Sequence, residues 1–179
     1  MYIPTTTLTQ GGPRKVFDST LAVDTASLTT GAGAIPTTYD LLTIYVISRT
    51  TEVVDLSTVS CIFNNDSSAI YDLQRVRGNN VTANAGQGLA ATSLTYLTAG
   101  ASQQAGAVGV LTFIIPRYAQ TIFHKAGSDL NAISDDTAAN NYIEAHSFRY
   151  RSTTAISQFT ITAGSGSLLA GTSMLVYAE

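Results

Sequence analysis

The sequence predicts an all-β chain, a β-sandwich of about eight to ten strands, and two observations carry that expectation. Apolar and polar residues alternate with period two through most of the chain, and no sustained helical periodicity competes with it. Threonine is abundant, and its branched Cβ favours extended, pleated backbone. Short strands separated by frequent turn signals are the pattern of a sandwich or barrel. Jelly-roll topology is the expected arrangement, because it handles eight strands in two sheets.

Residues 1–15 read as an extended N-terminal arm, with a break at Gln10-Gly11-Gly12-Pro13, and residues 16–179 as a single β-sandwich domain. Phe17, Ser19, Leu21 and Val23 share a face and predict the first core strand. Residues 41–49 are apolar on both faces, which predicts a central strand covered on both sides. Residues 58–63 place Val59, Cys61 and Phe63 inward. Asn64-Asn65-Asp66 turns the chain, and residues 70–77 return. A short strand follows at 92–97, and a second well-buried run at 107–115 is stopped by Pro116. Strands at 120–126, 142–150, 156–162 and 173–178 complete the set. Residues 79–91, 98–106 and 127–141 read as long polar or small-residue connections, the kind of segment that carries contacts on a rigid sandwich.

Charge bounds the function. Charged residues make up only 12% of the chain against 45% hydrophobic, about half the usual charged share of roughly a quarter. Such a chain either displays a neutral polar surface or has much of its surface covered by other subunits. The net charge is −3, with nine basic residues spread along the sequence. Arg75/Arg77 and Arg149/Arg151 are two apart and share a strand face. Two such pairs are too few to neutralise a phosphate backbone, which excludes nucleic acid as the expected partner. No apolar run approaches the roughly 20 residues of a membrane-spanning helix, so no membrane partner is expected. The start Met1-Tyr2-Ile3-Pro4 lacks the basic and apolar regions of a signal peptide.

No catalytic, cofactor or metal motif stands out. The chain has no Walker loop, no zinc-type His/Cys spacing and no Gly-x-Ser-x-Gly elbow. Cys61, the one cysteine, sits at a buried strand position and reads as an inert small hydrophobe. His146 shares a strand face with Glu144 and Phe148. A Glu–His pair could serve acid–base chemistry, but a surface pair on a sheet is the expected reading. His124, beside Lys125 at a strand end, reads as solvated. Asn64-Asn65-Asp66 and Asp135-Asp136 lack the spaced oxygens of a calcium loop, and turn chemistry accounts for both. The nine tyrosines suit both sheet cores and subunit interfaces. Tyr2, Ile3, Arg14 and Lys15 of the arm are the candidate interface residues, the first two as apolar anchors and the basic pair for an acidic patch.

Several short segments occur in an order that resembles a group of small tailed-phage virion structural proteins. They are Ile35-Pro36-Thr37-Thr38-Tyr39-Asp40-Leu41-Leu42-Thr43-Ile44 with Arg49, and Phe63-Asn64-Asn65-Asp66 with Tyr71 and Arg75. Ile115-Pro116-Arg117-Tyr118 with Lys125 follows, then Arg151-Ser152-Thr153-Thr154-Ala155-Ile156 with Phe159-Thr160-Ile161, and finally Ala170-Gly171-Thr172-Ser173-Met174-Leu175-Val176-Tyr177. The resemblance spans about residues 17–178. The chain departs from the group where Ala178-Glu179 replaces a glycine after the tyrosine. The resemblance implies a β-sandwich virion protein made in a bacterial cytoplasm, with no enzyme activity and no cofactor. Its expected role is capsid decoration: a cement protein, as a homotrimer by analogy, bound to the phage major capsid protein. A tail-tip or fibre module that binds a host receptor or surface glycan is the alternative, with tail proteins as partners. A depolymerase is a third reading, disfavoured because no acid–base constellation stands out.

Overall fold

A computed structural model describes residues 12–134 and 141–179. Its regular elements among these residues are all strands, in two antiparallel sheets, as the alternation predicts. In chain order they are β1 (Arg14–Thr20), β2 (Ser27–Thr29), β3 (Leu41–Ser48), β4 (Leu56–Phe63), β5 (Tyr71–Asn79) and β6 (Thr82–Ala91). Then come β7 (Leu94–Ala99), β8 (Gly109–Pro116), β9 (Lys125–Ile133), β10 (Tyr142–Tyr150), β11 (Phe159–Ala163) and β12 (Ser173–Ala178). The large sheet has eight strands in the order β1-β12-β3-β8-β9-β10-β5-β6, and the small sheet has four in the order β2-β11-β4-β7. The sandwich holds, with twelve strands rather than eight to ten. The eight-to-four division does not confirm a jelly roll.

The core lies between the sheets and follows from strict alternation. Leu42, Ile44 and Val46 of β3, Leu111, Phe113 and Ile115 of β8, and Val59, Cys61 and Phe63 of β4 are all buried. Phe63 is its hub: its ring lies 5.5–6.3 Å, centroid to centroid, from those of Tyr71, Phe113, Phe148, Tyr150 and Phe159. Aromatic rings at such separations add to the stabilisation from area burial. Gly127 of β9 marks a close approach, since a Cβ there would stand 2.6 Å from the Ile114 carbonyl oxygen and 2.7 Å from Cζ of Phe148.

Four segments differ from the sequence expectation, each for a physical reason. The first strand begins at Arg14, so Arg14 and Lys15 pair with β12 instead of ending an arm; it stops at Thr20, which leaves Val23 exposed. Tyr2 and Ile3 lie outside the described residues. Residues 82–91, expected in a connection, form β6, whose small residues owe their extended state to the ladder with β5. The strand expected at 120–126 is irregular up to His124, and residues 127–133, expected in a connection, belong to β9, which starts at Lys125. That strand escapes the usual pattern because its polar residues point inward: Lys125, Asp129 and Asn131 are buried, whereas Ala126, Leu130 and Ala132 are exposed.

Replacing Phe63 by alanine removes the hub of the aromatic core. Urea unfolding of Phe63→Ala is expected to lose about 3–5 kcal/mol, the range of buried Phe truncations.

Candidate functional site

The inward polar positions of β9 continue across two neighbouring strands. On β10 Glu144 and His146 face the core, and on β5 Arg75 and Arg77 do so. Register brings them together. Glu144 is directly opposite Arg77 on one side and Asn131 on the other; His146 is opposite Arg75 and Asp129. The outcome is a chain of ion pairs running across the sheet. Arg77 Nε donates to Glu144 Oε1, and Arg75 Nη1 stands 3.9 Å from the same oxygen. His146 Nε2 lies 3.5 Å from Glu144 Oε2, an ion-pair distance rather than a formed hydrogen bond. His146 Nδ1 is 2.5 Å from Asp129 Oδ1, and Tyr96 Oη of β7 donates to Asp129 Oδ2 at 2.8 Å. Asn131 Nδ2 anchors the inner end on the carbonyls of Leu97 and Val110.

The expectation of a surface Glu–His pair is therefore overturned. The side chains of Glu144, His146 and Asp129 are at most 1% exposed, whereas Arg75 and Arg77 close the outer end at 35% and 19%. Burial by itself would lower the His146 pKa, but the two carboxylates outweigh it and push it up to about 9. Burial likewise raises Glu144, yet the nearby His146 imidazolium and the hydrogen-bonded Arg77 hold its carboxyl below the usual range. The imidazolium is thus a sealed counter-ion at neutral pH. Burial and the neighbouring Asp129 raise the Tyr96 phenol well above its usual value, so it stays a donor. Among the described residues no group of three His, Cys, Asp or Glu is placed to hold a metal ion. What the chain of charges does is lock the register of β9, β10 and β5, because a one-residue slip would turn every charge to the opposite face.

The second basic pair is also held by a carboxylate. Arg149 donates twice to Asp72 Oδ2, at 2.6 and 2.8 Å, and Arg151 Nε lies 3.5 Å away. The Ala90 backbone N–H, then Arg149, hold the Asp72 carboxyl below the usual range. Arg14 donates to the Tyr39 hydroxyl at 3.5 Å, and Lys15 pairs with Asp18 at 2.6 Å; both basic side chains are exposed at the sheet edge. Cys61 is fully buried, as expected, and burial raises its thiol pKa well above the usual value. Asn64 and Asn65 adopt φ of 53° and 55°, and Asp66 accepts from the Ser68 N–H, which bears out the turn. His124 is exposed, and Asp135-Asp136 lies outside the described residues.

Several short segments singled out in the sequence meet as structural contacts. Arg49 donates to the carbonyls of Ala101, Gln103, Gln104 and Ala107 and staples that loop beside a hollow of about 470 Å³. The Tyr118 hydroxyl donates to the Pro36 carbonyl, and the Ile156 N–H donates to the Tyr118 carbonyl. Asn64 bridges to Ala155, Ser157 and Gln158, and the Tyr71 hydroxyl donates to the Asp66 carbonyl at 2.8 Å.

The feature that sequence reasoning missed is the other side of the same strands. Apart from Gln74 and the Asp72–Arg149 pair at one end, the outward positions of β9, β10 and β5 are small or apolar. Paired positions line up in rows across seven strands. One row runs Leu175, Tyr45, Thr112, Leu130, Ala145, Val76, Ala85 from β12 to β6. The next holds Ile47, Val110 and Ile143 with Ser173, Ala132, Gly78 and Ala83, and a third holds Tyr177 and Ile114 among Thr, Ser and Gln. None of these rows contains a charged residue. Leu130, Val76 and Ile143 are 55–61% exposed. The charges border the face, as Lys15–Asp18 on β1 and Asp72–Arg149 at one end. The signal that could have found it was in the sequence: Ala, Leu and Val placed out of phase with inward Asp, Glu and Arg.

No protein-family model matches the chain, and no curated protein and no solved structure matches it.

Removing His146 takes the shared cation from two buried carboxylates, so His146→Ala is expected to cost about 3–5 kcal/mol, the range for breaking a buried pair. The raised pKa also sets a pH dependence. A folded-state pKa above the unfolded value gives stability that is complete below pH 6.5 and lost as the pH rises through about 9. Urea midpoints measured across that window should fall for the wild type and flatten in His146→Gln.

Proposed function

We propose that this chain is a non-enzymatic structural subunit that works by docking into a larger assembly. The observation that carries the reading is the set of uncharged rows across seven strands on the outer face of the large sheet. Soluble monomers keep contiguous apolar surface small, and larger patches rimmed by polar groups mark interaction sites. This face has that layout, with apolar and small residues at its centre and ion pairs at its margin. The ionic chain beneath it supports the same reading. It keeps three of the face's strands in fixed register, and a rigid platform loses little freedom when it docks.

The more specific reading is a decoration protein of a tailed-phage capsid, acting in the virion on the lattice of the major capsid protein. It draws support from the ordered resemblance along the chain and from the sandwich architecture. A subunit that binds the assembled shell and not its free subunits stabilises that shell by mass action. The test is to locate the protein in purified particles by electron microscopy and to compare the heat resistance of shells with and without it. Density on the shell and a raised disruption temperature are expected. Density confined to the tail would move the protein to the receptor-binding or tail class.

A further inference from the structure

We infer that the uncharged outer face is where two copies of this chain pack, sheet against sheet, about a two-fold axis. The inference rests on reading that face as an assembly surface, and it names the occupant.

Three observations select a second copy. The first is a mismatch between pattern and burial. Leu41–Ser48 and Gly109–Pro116 are apolar on both faces, the pattern of strands covered on both sides, yet Tyr45, Ile47, Val110 and Ile114 are 40–45% exposed. The single chain supplies one cover only. The second is size. Strand spacing and side-chain repeat give seven strands and three rows a face of about 30 Å by 20 Å, roughly 600 Å² in projection. Side-chain relief makes the accessible area larger than the projection, close to the ~800 Å² per partner of a stable interface.

The third is relief and charge together. Large and small residues stand side by side on the face: Val110 and Ile114 flank Thr112 on β8, Leu130 stands between Ala132 and Ser128 on β9, and Ile143 precedes Ala145 and Ser147 on β10. A face built of knobs and hollows in this order accepts a copy of itself turned over, with large residues entering the hollows beside Ala132, Ala145 and Gly78. Self-contact also avoids like-charge repulsion over the central rows, which carry no charge; the charges stand at the border, as the neutral Lys15–Asp18 pair and as Asp72 with Arg149 and Arg151. A charged polymer or an anionic headgroup would find nothing there to pair with. An isologous face of this kind closes as a two-fold pair, in place of the threefold ring expected from analogy.

Sedimentation of the full chain, with particle binding measured in parallel, tests this. The wild type is expected at twice the 18.8 kDa chain mass. Leu130→Asp and Ile143→Lys, at outward positions, are each expected to sediment as single chains with unchanged circular dichroism. Val23→Asp, exposed but off the face, is expected to remain paired. If Leu130→Asp does not fold, Ile143→Lys carries the test alone. A wild type that stays single at every concentration, a trimer, or a pair that survives both substitutions overturns the inference. A single-chain wild type whose attachment to particles is abolished by Leu130→Asp would put the capsid, not a second copy, on this face: the inference falls and the assembly reading stands. A single-chain wild type that floats with phosphatidylcholine vesicles, and ceases to after Leu130→Asp, would put lipid there and remove both.

Discussion

The imidazolium of His146, held between Asp129 and Glu144 with Arg77 and Arg75 at the open end, sets the conditions for the large sheet. Charges this deeply buried persist only when each has a partner in place, because an unpaired one costs several kcal/mol. The chain meets that demand by direct cross-strand pairing, so the electrostatics and the register are one constraint. Opposite-charge pairs on neighbouring strands each contribute a few tenths to about 1 kcal/mol when exposed. Here their larger effect is exclusion: any other register would bury a charge alone.

The same constraint governs the opposite side of the sheet. Strand side chains alternate by necessity, so a strand that turns Asp, Asn, Glu and His inward must present its remaining residues outward. On β9 and β10 those are Ala126, Ser128, Leu130, Ala132, Ile143, Ala145 and Ser147, with Arg149 near the end of β10. In an ordinary half-solvated sheet the phase is reversed, with apolar side chains in and charges out. Inward charge and a largely uncharged outward side thus fall on the same strands, and the combination suits a sandwich face to contact.

The fold class was legible because β3, β4, β8 and β12 obey the common phase, with Leu42, Val59, Phe113 and Val176 all inward. Cys61 and the Asn64-Asn65-Asp66 turn were legible for local reasons, a buried alternation and a side chain that tolerates left-handed backbone. What was hidden was whatever depends on pairing between distant segments. β9 looked like a polar loop because its inward residues are Lys125, Asp129 and Asn131, whose partners lie on β7, β8, β10 and the loops near Phe123 and Thr153. β6 looked like a linker because Ala, Gly and Asn carry little strand preference of their own. The Glu144–His146 pair was visible as a spacing, but Asp129, which seals it, is seventeen residues away in sequence and adjacent only through the ladder.

Lys125 shows that the ion chain is a selected arrangement and not simply the result of burying polar residues. It lies on the same strand face, is equally buried, and has carbonyl partners only, those of Phe123 and Thr153. Burial lowers its pKa, the direction expected for an ammonium whose solvation is replaced by neutral dipoles. His146, with carboxylates on both ring nitrogens, shifts the other way. Two cations on the inner face of adjacent strands thus behave oppositely, and the difference is whether a carboxylate faces them. Where carboxylates do, at Asp129 and Glu144, three strands are fixed against one another, and the outward residues they hold in place are Leu130, Ile143 and Val76 at the centre of the uncharged face.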